Sequence, residues 1–154
     1  MKIENLYKKS NTSKIIFITG GTKSGKSEFA EHIARGISNI TYIALSEIKT
    51  NDYHWENKIS LHRRRRPEHW ETIETTDLLN ILNNDIGPLL IDSISGFVME
   101  SIECENKVWD KKMNLLIDLL IKRKYLTLIV GEQVGWSLVS EYKVGNVFIE
   151  RIGE

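Results

Sequence analysis

The chain has 154 residues, which is enough for one domain with a complete hydrophobic core and too few for two. Hydrophobic residues make up 41% of the chain and charged residues 27%, so the composition excludes a disordered chain and a collagen-like repeat. The 21 basic residues balance 21 acidic ones, so no overall charge favours nucleic acid or an anionic membrane as a partner.

The N-terminus is the first feature in chain order. Residues 1–13 are polar and charged, and we expect them to be a flexible end of a single domain that spans 1–154. They lack the apolar middle region of a secretion signal, and no apolar run approaches the ~18 residues of a membrane span. Cys104, the one cysteine, cannot form an internal disulfide and is expected to be a small buried hydrophobe. The sequence therefore predicts a cytoplasmic protein.

Apolar runs and glycines then alternate in a pattern typical of strands interleaved with helices. Short β-branched or apolar runs predict strands at 15–19 and 40–45. Between them, helical spacing predicts a helix at 27–35 that ends near Gly36. Asp52 is a suitable N-cap for a helix that runs towards Arg66, and Asp77 can cap a short helix at 78–82.

The second half continues this alternation. Strands are predicted at 89–92 and at 126–130, the latter stopped by Gly131, while 144–149 fits a strand or a helix. The alternation predicts an α/β three-layer sandwich with a mostly parallel sheet, whose ligand site lies at the carboxyl ends of the strands. A helix at 108–124 is expected to face the core with Met113, Leu116, Ile117, Leu120 and Ile121.

The strongest chemical signal is a complete phosphate loop, G-x-x-x-x-G-K-S, between the first strand and the first helix. Its chance occurrence in a chain of this length is about one in a few hundred, which disfavours an incidental glycine-rich turn. Backbone N–H groups and the helix N-terminus favour phosphate here, with Lys26 on the β and γ oxygens and Ser27 on Mg²⁺. The predicted nucleotide-binding residues are Gly20, Gly21, Thr22, Lys23, Ser24, Gly25, Lys26 and Ser27.

Asp92 is the candidate for a second magnesium residue. It ends an apolar strand downstream of the phosphate loop, as the Walker B carboxylate does, and no rival acid is expected at a strand end. The alternative is that Asp92 only caps the segment that follows, 93–99.

A basic stretch runs from His62 to Arg66. It could be a solvated helix face or a nucleic-acid patch, but the neutral chain and the absence of interleaved aromatic residues disfavour nucleic acid. Helical spacing puts His62 on one stripe with Trp55 and Ile59, and neighbouring cations favour a neutral, nucleophilic imidazole. A histidine on such a stripe is more often a packed core residue. The spacing alone leaves both interpretations open.

Four blocks together resemble the bifunctional adenosylcobinamide kinase/adenosylcobinamide-phosphate guanylyltransferases of cobalamin biosynthesis. Residues 19–27 look like the family's phosphate loop, and 42–45 look like its Y-I-A-T strand. Residues 59–70 are similar to its I-x-x-H-x-x-x-R-P-x-H-W signature, the most specific block because ordinary small kinases lack it. Residues 134–136 resemble the V-G-W of its V-S-N-E-V-G-W-G-I-V-P segment.

The resemblance implies an enzyme with two activities, a homotrimer, and a corrinoid partner, adenosylcobinamide or its phosphate. It implies that His62 is the catalytic nucleophile, beside the catalytic Lys26 and the Mg²⁺ that the phosphate loop predicts. His62 takes GMP from GTP and passes it to adenosylcobinamide phosphate, and the same protein phosphorylates adenosylcobinamide with GTP or ATP. Splitting a transfer through a covalent intermediate replaces one difficult step by two easier ones. Further implied nucleotide contacts are Ala44, Leu45, Ser46, Arg63, Arg64, Arg65, Arg66, Glu74 and Asp92.

The chain departs from the family pattern in its C-terminal part. Glu132-Gln133 replaces N-E, residues 137–140 lack the family's proline, and 146–150 lack the arginines of R-x-F-R-D. The chain stops at Glu154, earlier than typical members, so a shorter sheet edge is expected. Two alternatives therefore remain: a small-molecule phosphate-loop kinase without a covalent step, and a degenerate nucleotide-binding protein without turnover.

Overall fold

Strands and helices alternate along the residues that the computed structural model describes, 15–45, 65–84, 86–134 and 140–154. The strands are β1 (Ile15–Gly20), β2 (Thr41–Leu45), β3 (Glu71–Thr75), β4 (Leu89–Asp92) and β5 (Thr127–Glu132). The helices are α1 (Lys26–Ala34), α2 (Leu78–Asn83), α3 (Ser95–Glu100), α4 (Asn106–Lys122) and α5 (Lys143–Gly153).

The strands form one parallel sheet in the order β1-β5-β4-β2-β3. All the carboxyl ends therefore lie along one edge of the sheet, and the phosphate loop after β1 begins at that edge. This confirms the predicted α/β fold with a parallel sheet. Strand β5, the last of the described strands in the chain, pairs with both β1 and β4. It therefore lies between β1, which precedes the phosphate loop, and β4, which ends in Asp92.

Two hydrophobic clusters hold helices on opposite faces of the sheet, which makes the predicted three layers. On one face, Ala30, Ile33 and Ala34 of α1 pack with the side chains of Leu90 and Leu128. On the other face, buried residues of α2, α3 and α4 pack against β2, β4 and β5, with α5 adding partly buried side chains. Within the described residues, no helix has the length and apolar character needed to cross a membrane.

Several predicted elements differ from the observed ones. The polar alternation E-T-I-E-T was not expected to form a strand, yet it forms β3 at the sheet edge, where only one side pairs and polar side chains stay exposed. The uncertain tail is helix α5. Cys104 is half-buried rather than buried. The predicted helix between Asp52 and Arg66 and the N-terminal residues 1–13 lie outside the described residues, except for Arg65 and Arg66.

Two packing predictions were wrong in detail. Gly131 does not stop the last strand, because β5 stays paired with β1 as far as Glu132. The position suits glycine for another reason, since the Phe17 ring lies where a side chain at residue 131 would be.

In α4, Ile117 and Ile121 are 47% and 66% exposed. Leu116 is buried, and Met113 and Leu120 pack partly buried against the core, as expected. Trp109 and Leu119 complete this face. The core face of the helix is therefore rotated away from Ile117 and Ile121, but it is as wide as predicted.

Gly96, in the first turn of α3, lies against the end of β2. A Cβ at this position would stand 2.0 Å from the Leu45 carbonyl oxygen and 2.6 Å from the Leu45 Cβ. We expect Gly96→Ala to lower the free energy of unfolding by about 1–3 kcal/mol, because a backbone atom cannot rotate out of the way. Urea denaturation measures this loss. Gly87→Ala is the matched control, since its Cβ would meet its nearest atom at 3.7 Å, and equal losses in both variants would contradict the prediction.

Candidate functional site

The phosphate loop joins the end of β1 to the start of α1. Gly25, the N-cap of α1, has a φ of 82°, a left-handed conformation that glycine adopts without strain. The loop is tight, because a Cβ on Gly20 would lie 2.7 Å from the Ser24 Oγ. The glycine cap offers no side chain to the N–H groups of the first turn. Those groups and the helix dipole therefore present positive charge to the loop.

The last two side chains of the phosphate loop point to different partners. The Lys26 ammonium group donates to the Gly21 carbonyl oxygen at 3.4 Å, so it bends back over the loop. The Ser27 hydroxyl donates to the Asp92 Oδ1 at 3.1 Å. The structure thus brings together the loop and the strand-end carboxylate, which are 65 residues apart in the sequence.

Three of the predicted nucleotide residues form a row across the carboxyl ends of the strands. In the parallel register, Ala44 pairs with Glu74 on one side and with Asp92 on the other. Register partners in neighbouring strands project to the same face of a sheet. Asp92 faces α1, because its carboxylate contacts Ser27 at the start of that helix. The exposed Glu74 and half-buried Ala44 share this face, whereas Leu45 is buried on the other.

Arg65 fastens the basic stretch to α1. Its guanidinium contacts the Glu28 carboxylate at 2.6 Å and the Glu31 carboxylate at 3.4 Å, and Arg35 donates to its backbone carbonyl at 3.4 Å. Glu31 is only 3% exposed. Burial raises the pKa of its carboxyl, while the charges of Arg65 and Arg66 act in the opposite direction. Arg65 therefore compensates a buried acid on the phosphate-loop helix.

Arg66 has a different environment from its neighbour. Its guanidinium carbon lies 3.5 Å from the centroid of the Tyr42 ring, a cation–π contact. Its Nε and Nη1 atoms are buried and find no hydrogen-bond partner among the described residues. Buried N–H donors of a charged group are costly to leave unpaired, so these atoms are suited to bind an anion. The two described arginines of the basic stretch thus differ: Arg65 forms ion pairs with helix α1, whereas Arg66 has N–H groups that could bind an anion.

Tyr42 is a site residue that the sequence did not reveal. Its side chain is almost completely buried, and its hydroxyl donates to the Asp92 Oδ2 at 2.5 Å. Burial raises the pKa of the Tyr42 phenol, and the Asp92 charge raises it further, so the hydroxyl keeps its proton at neutral pH. An aromatic residue within an apolar strand is usually interpreted as a core residue, and nothing in the local sequence pattern indicates which group the tyrosine hydroxyl contacts.

Glu132 corrects the expectation that no other acid ends a strand. It is the last residue of β5 and pairs in register with Gly20, the first residue of the phosphate loop. The signal was present in the sequence, but the predicted strand was ended too early at Gly131. A half-buried carboxylate therefore stands between the loop strand and the strand of Asp92.

Several predicted site residues cannot be placed. His62, Arg63, Arg64 and Ser46 lie outside the described residues. Of the other histidines, His32 and His69 are exposed. Within the described ranges, no group of three or more histidine, cysteine or acidic side chains could hold a metal ion by itself.

Ser27 and Asp92 nevertheless fit a magnesium ion. Both offer oxygen atoms, which Mg²⁺ prefers, and the two side chains are already in contact at 3.1 Å. Mg²⁺ at phosphate sites usually takes one or two protein ligands, and phosphate oxygens and waters complete its shell. A hydroxyl that donates to a carboxylate still has lone pairs for a cation. Two protein ligands of this kind would suit a magnesium ion whose remaining ligands are phosphate oxygens and waters.

The chain matches known proteins along most of its length. The family model described as cobinamide kinase / cobinamide phosphate guanyltransferase matches residues 16–154. The bifunctional adenosylcobalamin biosynthesis protein CobU of Escherichia coli is 29% identical, over 90% of this chain and 86% of the relative. CobU of Salmonella typhimurium is 27% identical over the same shares. CobP of Pseudomonas aeruginosa is 27% identical, over 88% of this chain and 81% of the relative.

A solved structure supports the fold independently of these sequences. The KaiC-like protein of Pyrococcus horikoshii superposes with a TM-score of 0.50 over 92% of this chain and 68% of the other. The two sequences are 20% identical, so this likeness concerns the arrangement of helices and strands alone.

Proposed function

The chain belongs to the cobinamide kinase / cobinamide phosphate guanyltransferase family, and we propose that it carries out both transfers on its corrinoid substrate. It phosphorylates adenosylcobinamide, and it then transfers GMP from GTP to adenosylcobinamide phosphate. The single observation that carries this proposal is the contact of Ser27 with Asp92, because it joins the phosphate loop to a carboxylate suited to bind a metal ion. We further propose a cytoplasmic location and a homotrimeric assembly, of which the homotrimer rests on the family resemblance alone.

The phosphate loop supports the kinase step. Its first-turn N–H groups and the Lys26 ammonium stabilise negative charge on the transferred phosphoryl group. Ser27 and Asp92 would hold Mg²⁺, which when bound neutralises charge on the phosphate oxygens. The acceptor hydroxyl of adenosylcobinamide attacks the γ-phosphorus of GTP or ATP, the bond from that phosphorus to the β-γ bridging oxygen breaks, and the hydroxyl proton is released. Glu132, at the strand end beside Gly20, is a suitable acceptor of that proton.

His62 supports the guanylyl transfer. In the first half-reaction its unprotonated ring nitrogen attacks the α-phosphorus of GTP, a P–N bond forms, and pyrophosphate leaves. In the second, a phosphate oxygen of adenosylcobinamide phosphate attacks the same phosphorus, the P–N bond breaks, and the histidine is regenerated. His62 stands four residues before Arg66 in the sequence. The Nε and Nη1 donors of Arg66, which meet no partner in the ranges that the structure describes, suit the charge that develops on the phosphoryl oxygens.

An incubation with labelled GTP tests the proposed guanylyl transfer. The protein is mixed with Mg²⁺ and GTP labelled at the α-phosphate, and intact mass and bound label are measured after denaturation. We expect one covalently attached GMP per chain and release of pyrophosphate. Adding adenosylcobinamide phosphate should move the label to the corrinoid. Tight GTP binding without pyrophosphate release would contradict guanylyl transfer. A second incubation, with adenosylcobinamide and ATP or GTP labelled at the γ-phosphate, tests the kinase step, and absence of labelled adenosylcobinamide phosphate would contradict it.

Lys26→Ala tests the phosphate loop separately. We expect the rate of adenosylcobinamide phosphorylation to fall by about 100-fold, because one fixed donor to the developing charge is lost. Initial rates with saturating ATP and with saturating GTP measure this effect. Lys107→Ala removes an exposed lysine at the start of α4 and should leave both rates unchanged. A Lys26→Ala enzyme as active as the control would show that the loop does not act on the transferred phosphate.

A further inference from the structure

Both oxygens of the Asp92 carboxylate are held by hydroxyl groups from other elements. Oδ1 accepts from Ser27 at 3.1 Å, and Oδ2 accepts from Tyr42 at 2.5 Å. Ser27 belongs to the phosphate loop and its helix, whereas Tyr42 belongs to strand β2. A carboxylate with two hydroxyl donors on different oxygens cannot rotate without losing one of them. Its orientation is therefore fixed by two separate parts of the fold.

The sheet register explains how Tyr42 reaches Asp92. Tyr42 pairs with Leu90 of β4, and Asp92 follows two residues later on the same face of that strand. The long phenol ring spans this diagonal and ends in a donor. Tyr42 is 1% exposed and lies in the same hydrophobic cluster as Leu90. The surrounding core therefore fixes the ring and with it the position of the hydroxyl.

The Tyr42 ring also contacts Arg66, whose Nε and Nη1 atoms have no hydrogen-bond partner within the described part of the chain. Arg66 lies 3.5 Å from the ring centroid, and Trp70 packs near the ring with centroids 6.5 Å apart. The buried Tyr42 side chain thus has two contacts: its hydroxyl donates to the Asp92 carboxylate, and the face of its ring lies against the Arg66 guanidinium. Replacing Tyr42 by phenylalanine removes the first contact and keeps the second, so the two roles can be separated.

We propose that Tyr42 is a positioning residue that holds Asp92 in the orientation needed to bind the nucleotide-bound divalent cation. The inference rests on the proposed function, because it assumes that a nucleotide and its metal occupy the phosphate loop. Hydrogen-bond partners that orient a metal-binding side chain typically account for about 10–100-fold in metal affinity or activity. Tyr42 therefore acts through Asp92 and touches neither substrate nor metal.

Metal affinity tests the proposal without relying on turnover. The full chain is saturated with α,β-methylene GTP, in which a carbon replaces the oxygen between the α- and β-phosphates, so that the bond broken in guanylyl transfer cannot be cleaved. Mn²⁺ binding is then followed by electron paramagnetic resonance. We expect Tyr42→Phe to weaken Mn²⁺ binding by about tenfold or more. Affinity for the nucleotide without metal should be unchanged. Tyr125→Phe, at an exposed tyrosine before β5, is the matched control and should bind Mn²⁺ as the wild type does.

A double-mutant cycle completes the test. If Tyr42 acts through Asp92, Tyr42→Phe should cause no additional loss of Mn²⁺ affinity in an Asp92→Asn background. Unchanged Mn²⁺ affinity in Tyr42→Phe overturns the proposal, even where the melting temperature falls, because the residue is then only structural. An equal loss of metal-free nucleotide binding overturns it as well. Failure of the proposed function has a different signature, since the wild type would then show no nucleotide-dependent Mn²⁺ binding.

Discussion

Replacing His62 with alanine is expected to abolish the covalent GMP adduct completely. The P–N bond of the intermediate needs an unprotonated ring nitrogen, and alanine supplies no nucleophile in its place. Phosphorylation of adenosylcobinamide with ATP should persist in the same variant, because Lys26, Ser27 and Asp92 are unaltered. The measurement is label retained from α-labelled GTP after denaturation, together with the kinase rate. A loss confined to one of the two activities separates the histidine from the phosphate loop.

The control for this variant is His69→Ala, which removes an exposed histidine from the same sequence block. It should keep the adduct at the wild-type level. The chemistry of the bond gives a second check, since a phosphoramidate is cleaved by mild acid and survives base. Label that persists in His62→Ala would exclude His62 as the nucleophile. Absence of label in the wild type would instead favour a kinase without a covalent step.

Arg151→Leu is expected to destabilise the whole protein by about 3 kcal/mol. The Arg151 guanidinium is 5% exposed and donates to the carbonyl oxygens of Ser101, Ile102 and Cys104, and it lies 5.0 Å from the centroid of the Trp109 ring. Hydrogen bonds to a charged donor contribute about 1.5–3 kcal/mol each, and buried carbonyls without a donor are costly. In a chain of this size, the melting temperature should fall by about 6–12 °C.

Two variants control for the loss of charge and of side-chain length. Arg151→Lys keeps the positive charge but cannot span several carbonyls at once, so we expect an intermediate loss of stability. Lys143→Leu removes an exposed cation from the first turn of the same helix and should change the free energy of unfolding by less than about 0.5 kcal/mol. If Arg151→Leu is as stable as Lys143→Leu, the prediction is contradicted, because the turn between α3 and α4 then does not depend on Arg151.

Much of the fold could be predicted because its strands are short apolar runs that end at recognisable positions. The run ending in Asp92 is buried in the middle of a parallel sheet, where burial on both faces selects apolar residues. The run before Gly20 is also apolar, although β1 lies at the sheet edge and its Ile15 and Phe17 side chains are exposed. The Asp77 cap was equally readable, since its carboxylate accepts from the Asn80 N–H. Strand β3 escaped prediction because an edge strand with exposed polar side chains lacks that signal.

The site was harder to predict because its geometry depends on long-range pairing. The phosphate loop is local, so its eight residues identify it without knowledge of the fold. The link from Tyr42 to Asp92 depends on the register between β2 and β4, which no local pattern contains. The different roles of Arg65 and Arg66 likewise depend on their neighbours, since Arg65 contacts Glu28 on α1 and Arg66 contacts the Tyr42 ring. The sequence therefore predicted that these side chains are positively charged, but it did not predict which groups they contact.

The insertion of β5 between β1 and β4 has a consequence for how the protein is made. The chain completes the phosphate loop and Asp92 well before it reaches Thr127, so until β5 is present the two are linked through helix α1, which packs with Leu90, and not through the sheet. The backbone pairing that connects β1 to β4 is complete only when β5 lies between them. A nucleotide that binds the native site should therefore stabilise the fully paired sheet during refolding.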